Sequence, residues 1–235
     1  ITPGASFKKC LGKPGIGIKK IGFFVMISIK ANALSHLTDA RYFASMEVAW
    51  MGFNLDPLSE NASSPLFVKA IREWISGPAF VGEFNYASAT EILAITENAG
   101  LDAIQLGPLF DYNELAFIPD SYTLFAEMRI DSNLPDPDLF TFLQQHAGKI
   151  NYYILNFSHI TEPLSVLWKD ALVTLCQSYP IFIYCNGDAH QVAEYIQHFK
   201  PFGYCLSGGS EEKTGLKSFE ELDEIFDKLS DLASK

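Results

Sequence analysis

The chain has 235 residues, 48% of them hydrophobic and 19% charged, with a formal net charge of −11. That length and apolar share suit one large α/β domain with a sizeable core and exclude a disordered chain. The acidic balance repels phosphate backbones, so nucleic acid is not an expected partner, and no apolar run approaches the roughly 18–20 residues needed to span a membrane.

Cys10, Cys176, Cys185 and Cys205 fit neither a CxxC pattern nor a disulfide scaffold, and reduced thiols in the cytoplasm are the simplest reading. Residues 1–25 carry Lys8, Lys9, Lys13, Lys19 and Lys20 and no acid, and run into an apolar stretch from Ile21 to Ile27. That resembles a secretory signal, but a small-residue cleavage site is missing and Lys30 cuts the run short. Residues 1–25 therefore read as an N-terminal extension or an appended segment. Residues 26–235 read as the domain, with Met26 near its natural start.

Short apolar runs then alternate with helix-length amphipathic segments, the rhythm of βα units in a parallel sheet. A strand over Val25–Ile29 precedes a helix from about Ser35 to Met46 and a strand over Val48–Phe53. The next helix starts at Ser64-Pro65, a cap followed by proline in the first turn, with Val68, Ile71 and Ile75 on one face. A strand over Ala79–Phe84 leads to a capping box at Ser88–Glu91. After a strand over Asp102–Leu106, Asp111–Leu115 allows only a turn or so of helix. Strands follow at Leu124–Arg129, Tyr152–Leu155, Ile181–Tyr184 and Phe202–Leu206. Between them lie helices after Pro137, over Leu164–Cys176 and over Ala189–His198, and a last helix opens with a capping box at Ser218–Glu221.

Eight strands and about eight helices predict a single closed (β/α)₈ TIM barrel. An open doubly wound sheet would more often show a glycine-rich turn after its first strand, where Ala31-Asn32-Ala33-Leu34 has none. Function in such barrels sits in the loops after the strands.

The residues there resemble those of the phosphoribosylanthranilate isomerases of tryptophan biosynthesis, over nearly all of 26–235. The family's Val-Lys-Ile-Cys-Gly-Ile, with Asp-Ala seven places after the Cys, is similar to Ile29-Lys30-Ala31-Asn32-Ala33-Leu34 with Asp39-Ala40. Trp50-Met51-Gly52-Phe53 resembles its Ala-Leu-Gly-Phe, and Val81-Gly82-Glu83-Phe84 its Val-Gly-Val-Phe. Leu101-Asp102-Ala103-Ile104-Gln105-Leu106 resembles its Leu-Asp-X-X-Gln-Leu. Ser207-Gly208-Gly209-Ser210-Glu211, with Gly215-Leu216-Lys217, resembles its final Ser-Ser-Gly-Val-Glu and Gly-Val-Lys.

The resemblance implies an Amadori rearrangement of an aminated ribose phosphate, with a cysteine as general base and an aspartate as general acid. The matching positions hold Asn32 and Asn156, carboxamides that neither take up nor release a proton near neutral pH. The family's substrate-gripping arginine matches Asn61, its strand-4 histidine matches Gly107, and its strand-7 Gly-Gly matches Cys185-Asn186. The glycine loop after its strand 6 matches His159 to Leu164, which has no glycine.

The bare backbone of Asn186-Gly187 and Ser207-Gly208-Gly209, with a short-helix N-terminus nearby, is the expected phosphate site. Asn61, Glu83, Gln105, Arg129 and Cys185 are the expected pocket. Cys185 as a replacement thiolate, or as a metal ligand with His190, stands against the commoner fate of a small core residue. Lys30, Glu83, Glu127 and Arg129 suggest a buried ionic layer, since buried charges need partners. His159 is the histidine nearest the barrel mouth.

No motif for a cofactor or metal is evident. The expected partner is a small phosphorylated or anionic molecule, and the expected assembly a monomer or homodimer. Three readings stay open: a divergent isomerase-like barrel that binds such a ligand with its activity lost or changed, an active isomerase using substitute residues, and a non-catalytic partner-binding barrel.

Overall fold

The computed structural model describes residues 27–213 and 216–233. The segment 1–25 and the first residues of the strand expected at Val25–Ile29 lie outside them. Eight parallel strands close into a barrel in chain order: β1 (Ser28–Asn32), β2 (Trp50–Asn54), β3 (Ala79–Phe84), β4 (Ala103–Leu106), β5 (Thr123–Arg129), β6 (Tyr152–Asn156), β7 (Ile181–Tyr184) and β8 (Gly203–Ser207). β8 pairs back onto β1 with Lys30 opposite Cys205 and Asn32 opposite Ser207.

The outer layer consists of α1 (Leu37–Ser45), α2 (Pro65–Trp74), α3 (Ala89–Ala99), a 3-10 segment (Tyr112–Phe117), α4 (Pro137–His146), α5 (Val166–Ser178), α6 (Ala189–Phe199) and α7 (Glu220–Ala233). Local chemistry sets their starts. Ser64 accepts the Phe67 N–H ahead of Pro65, Ser88 and Glu91 form the reciprocal capping box, and Asp136, Ser165 and Asp188 each accept a first-turn N–H. Gly100 ends α3 in the left-handed conformation, φ 67°.

Alternation along the strands sorts two cores. Outward residues such as Met51, Phe53, Phe80 and Leu155 pack under the helices with Phe43, Val68, Ile92 and Trp168. Inward residues Trp50, Val81, Phe125, Ile154 and Phe182 fill the barrel. Trp50 meets Phe125 edge-on at 5.1 Å, and Tyr152 lies 4.8 Å from Phe125 and 5.0 Å from Phe202. The N-terminal half of the barrel is thus aromatic and closed.

Several boundaries differ from expectation. β1 lies three residues later than Val25–Ile29, ending only where Ala33 turns left-handed at φ 49°, so Lys30 is mid-strand rather than beyond it. β2 starts at Trp50 rather than Val48, β6 and β8 run on to Asn156 and Ser207, and Ile75 falls just past α2. α5 begins after Ser165 because that residue, not Leu164, supplies the capping oxygen. The expected capping box at Ser218–Glu221 is not formed, since Ser218 closes a strand two residues ahead of α7. That strand, β10 (Leu216–Ser218), pairs antiparallel with β9 (Ser210–Lys213). A hairpin therefore stands where a short helix was expected to offer its N-terminus.

Candidate functional site at the barrel mouth

Above the aromatic half, the inward positions become polar. Lys30 has no exposed surface, and its Nζ donates to Asn32 Oδ1 and to Glu83 Oε1, both at 2.6 Å. Glu83 Oε2 also accepts the Ala33 N–H at 3.0 Å, which holds the β1–α1 turn over the pair. Gly52 makes room for this pair, because a Cβ there would stand 1.8 Å from Glu83 Oε1 and 2.6 Å from Lys30 Nζ. Its glycine is required by a close approach rather than by its backbone angles.

Across the barrel, Glu127 takes one amide on each carboxylate oxygen. Gln105 Nε2 donates to Oε2 and Asn156 Nδ2 to Oε1, both at 2.6 Å. Asn156 Oδ1 in turn accepts the Ser158 N–H at 3.0 Å. Burial pushes the Glu127 carboxyl above the ordinary range and neighbouring Glu83 adds to it, while the Asn156 and Gln105 amides and Lys30 oppose. Gln105 Oε1 is buried without a partner.

On the β7–β8 side, the Tyr184 and Ser207 hydroxyls lie 2.6 Å apart, and Cys185 Sγ lies 2.7 Å from the Tyr204 hydroxyl. Burial pushes the Cys185 thiol up to about 11 and the Cys205 thiol to about 12. Both are neutral at physiological pH and inert as bases, which fits small core residues. Asn186 Nδ2 donates to the Ser158 carbonyl at 3.1 Å, tying the β6 and β7 loops together.

Gly187, Ser207, Gly208 and Gly209 line a cavity of about 620 Å³. The Gly209 N–H is already bonded to the buried Asp39 carboxylate at 3.2 Å, and Lys217 pairs with the other Asp39 oxygen. Asp188, Glu221 and Glu224 also line the cavity, and none of the described residues that line it is basic.

Asn61 lines a second cavity of about 600 Å³ beside Asn54 and Phe67. The expected residues thus do not form one pocket. Asn32 and Glu83 share one hydrogen-bonded cluster, Gln105 and Asn156 another, and Cys185 and the glycine loops a third region. Arg129 departs from the ionic layer: it is half-exposed and bonds Asp131 at 2.6 Å. The reason is its place at the last residue of β5, beyond the enclosed part of the barrel. His159 and His190 are exposed. Among the described residues no group of three or more His, Cys, Asp and Glu side chains is placed to hold a metal ion, and no helix is long and apolar enough to cross a membrane.

Tyr184 was not anticipated in the site, although its alternation from Phe182 points it inward. The Asp39–Lys217 clasp was not anticipated either, since 178 residues separate its partners.

Comparison with solved structures shows which folds this one resembles. The phosphoribosyl anthranilate isomerase of Thermus thermophilus superposes with a TM-score of 0.71 at 20% identity, covering 88% of this chain and all (100%) of that one. The fold is that of the phosphoribosylanthranilate isomerases. A second such isomerase, in complex with reduced 1-(o-carboxyphenylamino)-1-deoxyribulose 5-phosphate, gives 0.70 at 17% identity over 88% of this chain and 100% of that one. KGPDC from Streptococcus mutans gives 0.63 at 12% identity over 89% and 98%. No protein-family model matches the chain, and no curated protein matches it significantly. The expected likeness to the isomerases is thus borne out as a likeness of fold.

Proposed function

We propose that the protein is a divergent barrel of the isomerase fold that binds a small sugar phosphate at its mouth and does not carry out the isomerases' rearrangement of an aminated ribose phosphate. What carries this reading is the state of two amides. Asn32 and Asn156 end β1 and β6, where the resemblance puts the general base and general acid, and both are engaged in holding Lys30 and Glu127. Each acid–base step is worth about 10²–10⁴-fold, so loss of both leaves little of the parent reaction.

The ligand class is supported by the cavity beside Gly187 and Gly208, whose backbone can approach a phosphate closely, and by the phosphorylated ligand of the isomerase complex that shares this fold. Asp188, Glu221 and Glu224 favour a second reading, in which the ligand is a neutral polyol or an amine.

Calorimetric titration with ribose 5-phosphate, inorganic phosphate and ribose separates the two. Tighter binding of ribose 5-phosphate, with phosphate competing, is expected. Binding of ribose alone would turn the assignment to the neutral ligand. Expression in a strain lacking the isomerase should leave it dependent on tryptophan, and growth without tryptophan would overturn the loss of the parent reaction.

A further inference from the structure

The acid–base types missing from β1 and β6 reappear one strand away. Cys205 on β8 stands opposite Lys30, the residue that bonds Asn32, and Glu127 on β5 hydrogen-bonds Asn156. These two neighbours differ in what they can do. Cys205 is wholly buried with its thiol raised to about 12, so it stays protonated. Glu127 is partly exposed at the mouth.

We propose that Glu127 is the proton-transfer group of this mouth, acting at the carbon beside the carbonyl of a small polyhydroxylated aldehyde or ketone. This rests on the mouth being a sugar-phosphate site.

Three further observations support it. Glu83, the other carboxylate of the layer, is ion-paired with the buried Lys30 and bonded to the Ala33 N–H, whereas the side chains bonded to Glu127 are neutral amides. Gln105 is 4% exposed, and its Oε1 has no partner although its Nε2 bonds Glu127. The layer is therefore short of one donor, which protonated Glu127 or a ligand hydroxyl would supply. The titratable groups whose charge acts on Glu127 are Lys30 from β1, Glu83 from β3, and Tyr184 and Cys205 from β7 and β8, with Tyr112 acting from outside the barrel wall, while Arg129 on its own strand is bonded to Asp131. A carboxylate in that setting is a stronger base than an exposed one.

The step balances within protein and ligand. The Glu127 carboxylate takes the proton, the C–H pair becomes the double bond of an enediolate, and the carbonyl π pair moves onto oxygen. One proton of the Tyr184–Ser207 hydroxyl pair is used between them, which leaves the other to bond that oxygen. Glu127 then returns a proton to carbon.

The test is hydrogen–deuterium exchange. The full-length protein is incubated with ribose 5-phosphate in D₂O, and loss of the C2 proton is followed by NMR, with calorimetric binding measured in parallel. The expected result is exchange that falls by about 10²-fold or more in Glu127→Gln while binding stays within a few-fold, with Glu127→Asp retaining part of the rate. Binding without exchange in the wild type, or equal exchange in wild type and Glu127→Gln, would overturn this assignment and leave the ligand site standing. Absence of binding would remove both.

Discussion

Asn156 donates its side-chain amide to Glu127 across the seam between β6 and β5 at 2.6 Å, so a neutral carboxamide faces this carboxylate. An amide at this position is chemically coherent. An aspartate at 156 beside Glu127 would set two carboxylates against each other in a partly desolvated site, and one would have to stay protonated. The amide satisfies Glu127 and still anchors the loop through Ser158.

The first prediction concerns the pH dependence this creates. Burial raises the Glu127 carboxyl, so the folded state holds its proton more tightly than the unfolded chain does. Stability should therefore fall as pH rises through the ordinary carboxylate range and on to the raised folded value. Glu127→Gln removes that ionisation and keeps an acceptor oxygen. Its melting temperature should match the wild type near pH 4 and exceed it near pH 8, by roughly 2–4 °C for each kcal/mol relieved. Parallel thermal scans at the two pH values measure the difference, and an unchanged offset would sink the idea.

A second prediction comes from Gly52. A Cβ at this position would overlap Glu83 Oε1 and crowd Lys30 Nζ, and Glu83 cannot withdraw without releasing the Ala33 N–H. Gly52→Ala should leave a buried charge poorly paired and cost about 3–5 kcal/mol. Replacing the pair by Met at Lys30 and Gln at Glu83 should cost much less, because the two desolvation penalties disappear together. In urea denaturation, Gly52→Ala should be milder in that doubly substituted background. Equal penalties in both backgrounds would mean that the glycine serves something other than the ion pair.

The barrel was legible because its strands are short apolar runs and most of them lead into a capped amphipathic helix, as at Ala79–Phe84 with the Ser88–Glu91 box. The mouth was legible by position and less so by contact. Ala33 is instructive: the resemblance aligns it with a glycine, and it keeps the left-handed φ of 49° that a glycine would adopt freely. Lys30 and Glu83 could be suspected of pairing, whereas the partition of the layer into one cluster around Lys30 and another around Glu127 depends on strand register, which a list of inward residues does not contain. Arg129 shows the same limit, since one step along β5 separates an enclosed position from the rim. The β9–β10 hairpin escaped notice because Ser210–Lys213 has neither an apolar alternation nor a tight two-residue turn signal.

The last prediction is the acid sensitivity of the rim beside the second cavity. Asp56 is 1% exposed, and its carboxylate accepts the backbone N–H groups of Leu58, Asn85, Tyr86 and Ala87, joining the loops after β2 and β3. Burial alone would raise this carboxyl, but the four N–H bonds outweigh it and hold it below the ordinary value. A carboxyl lowered in the folded state contributes stability above its unfolded pKa, and that contribution is lost as pH falls through the folded value. Asp56→Asn replaces an acceptor oxygen by an N–H₂ group facing backbone donors, and should cost about 2–3 kcal/mol at pH 7. Wild type and variant should then converge in stability as pH falls below the carboxylate range, because protonated Asp56 loses the charge that made these bonds strong. Denaturant titrations at pH 7 and in acid test this, and a penalty that stays constant across that range would show that geometry rather than charge holds the two loops together.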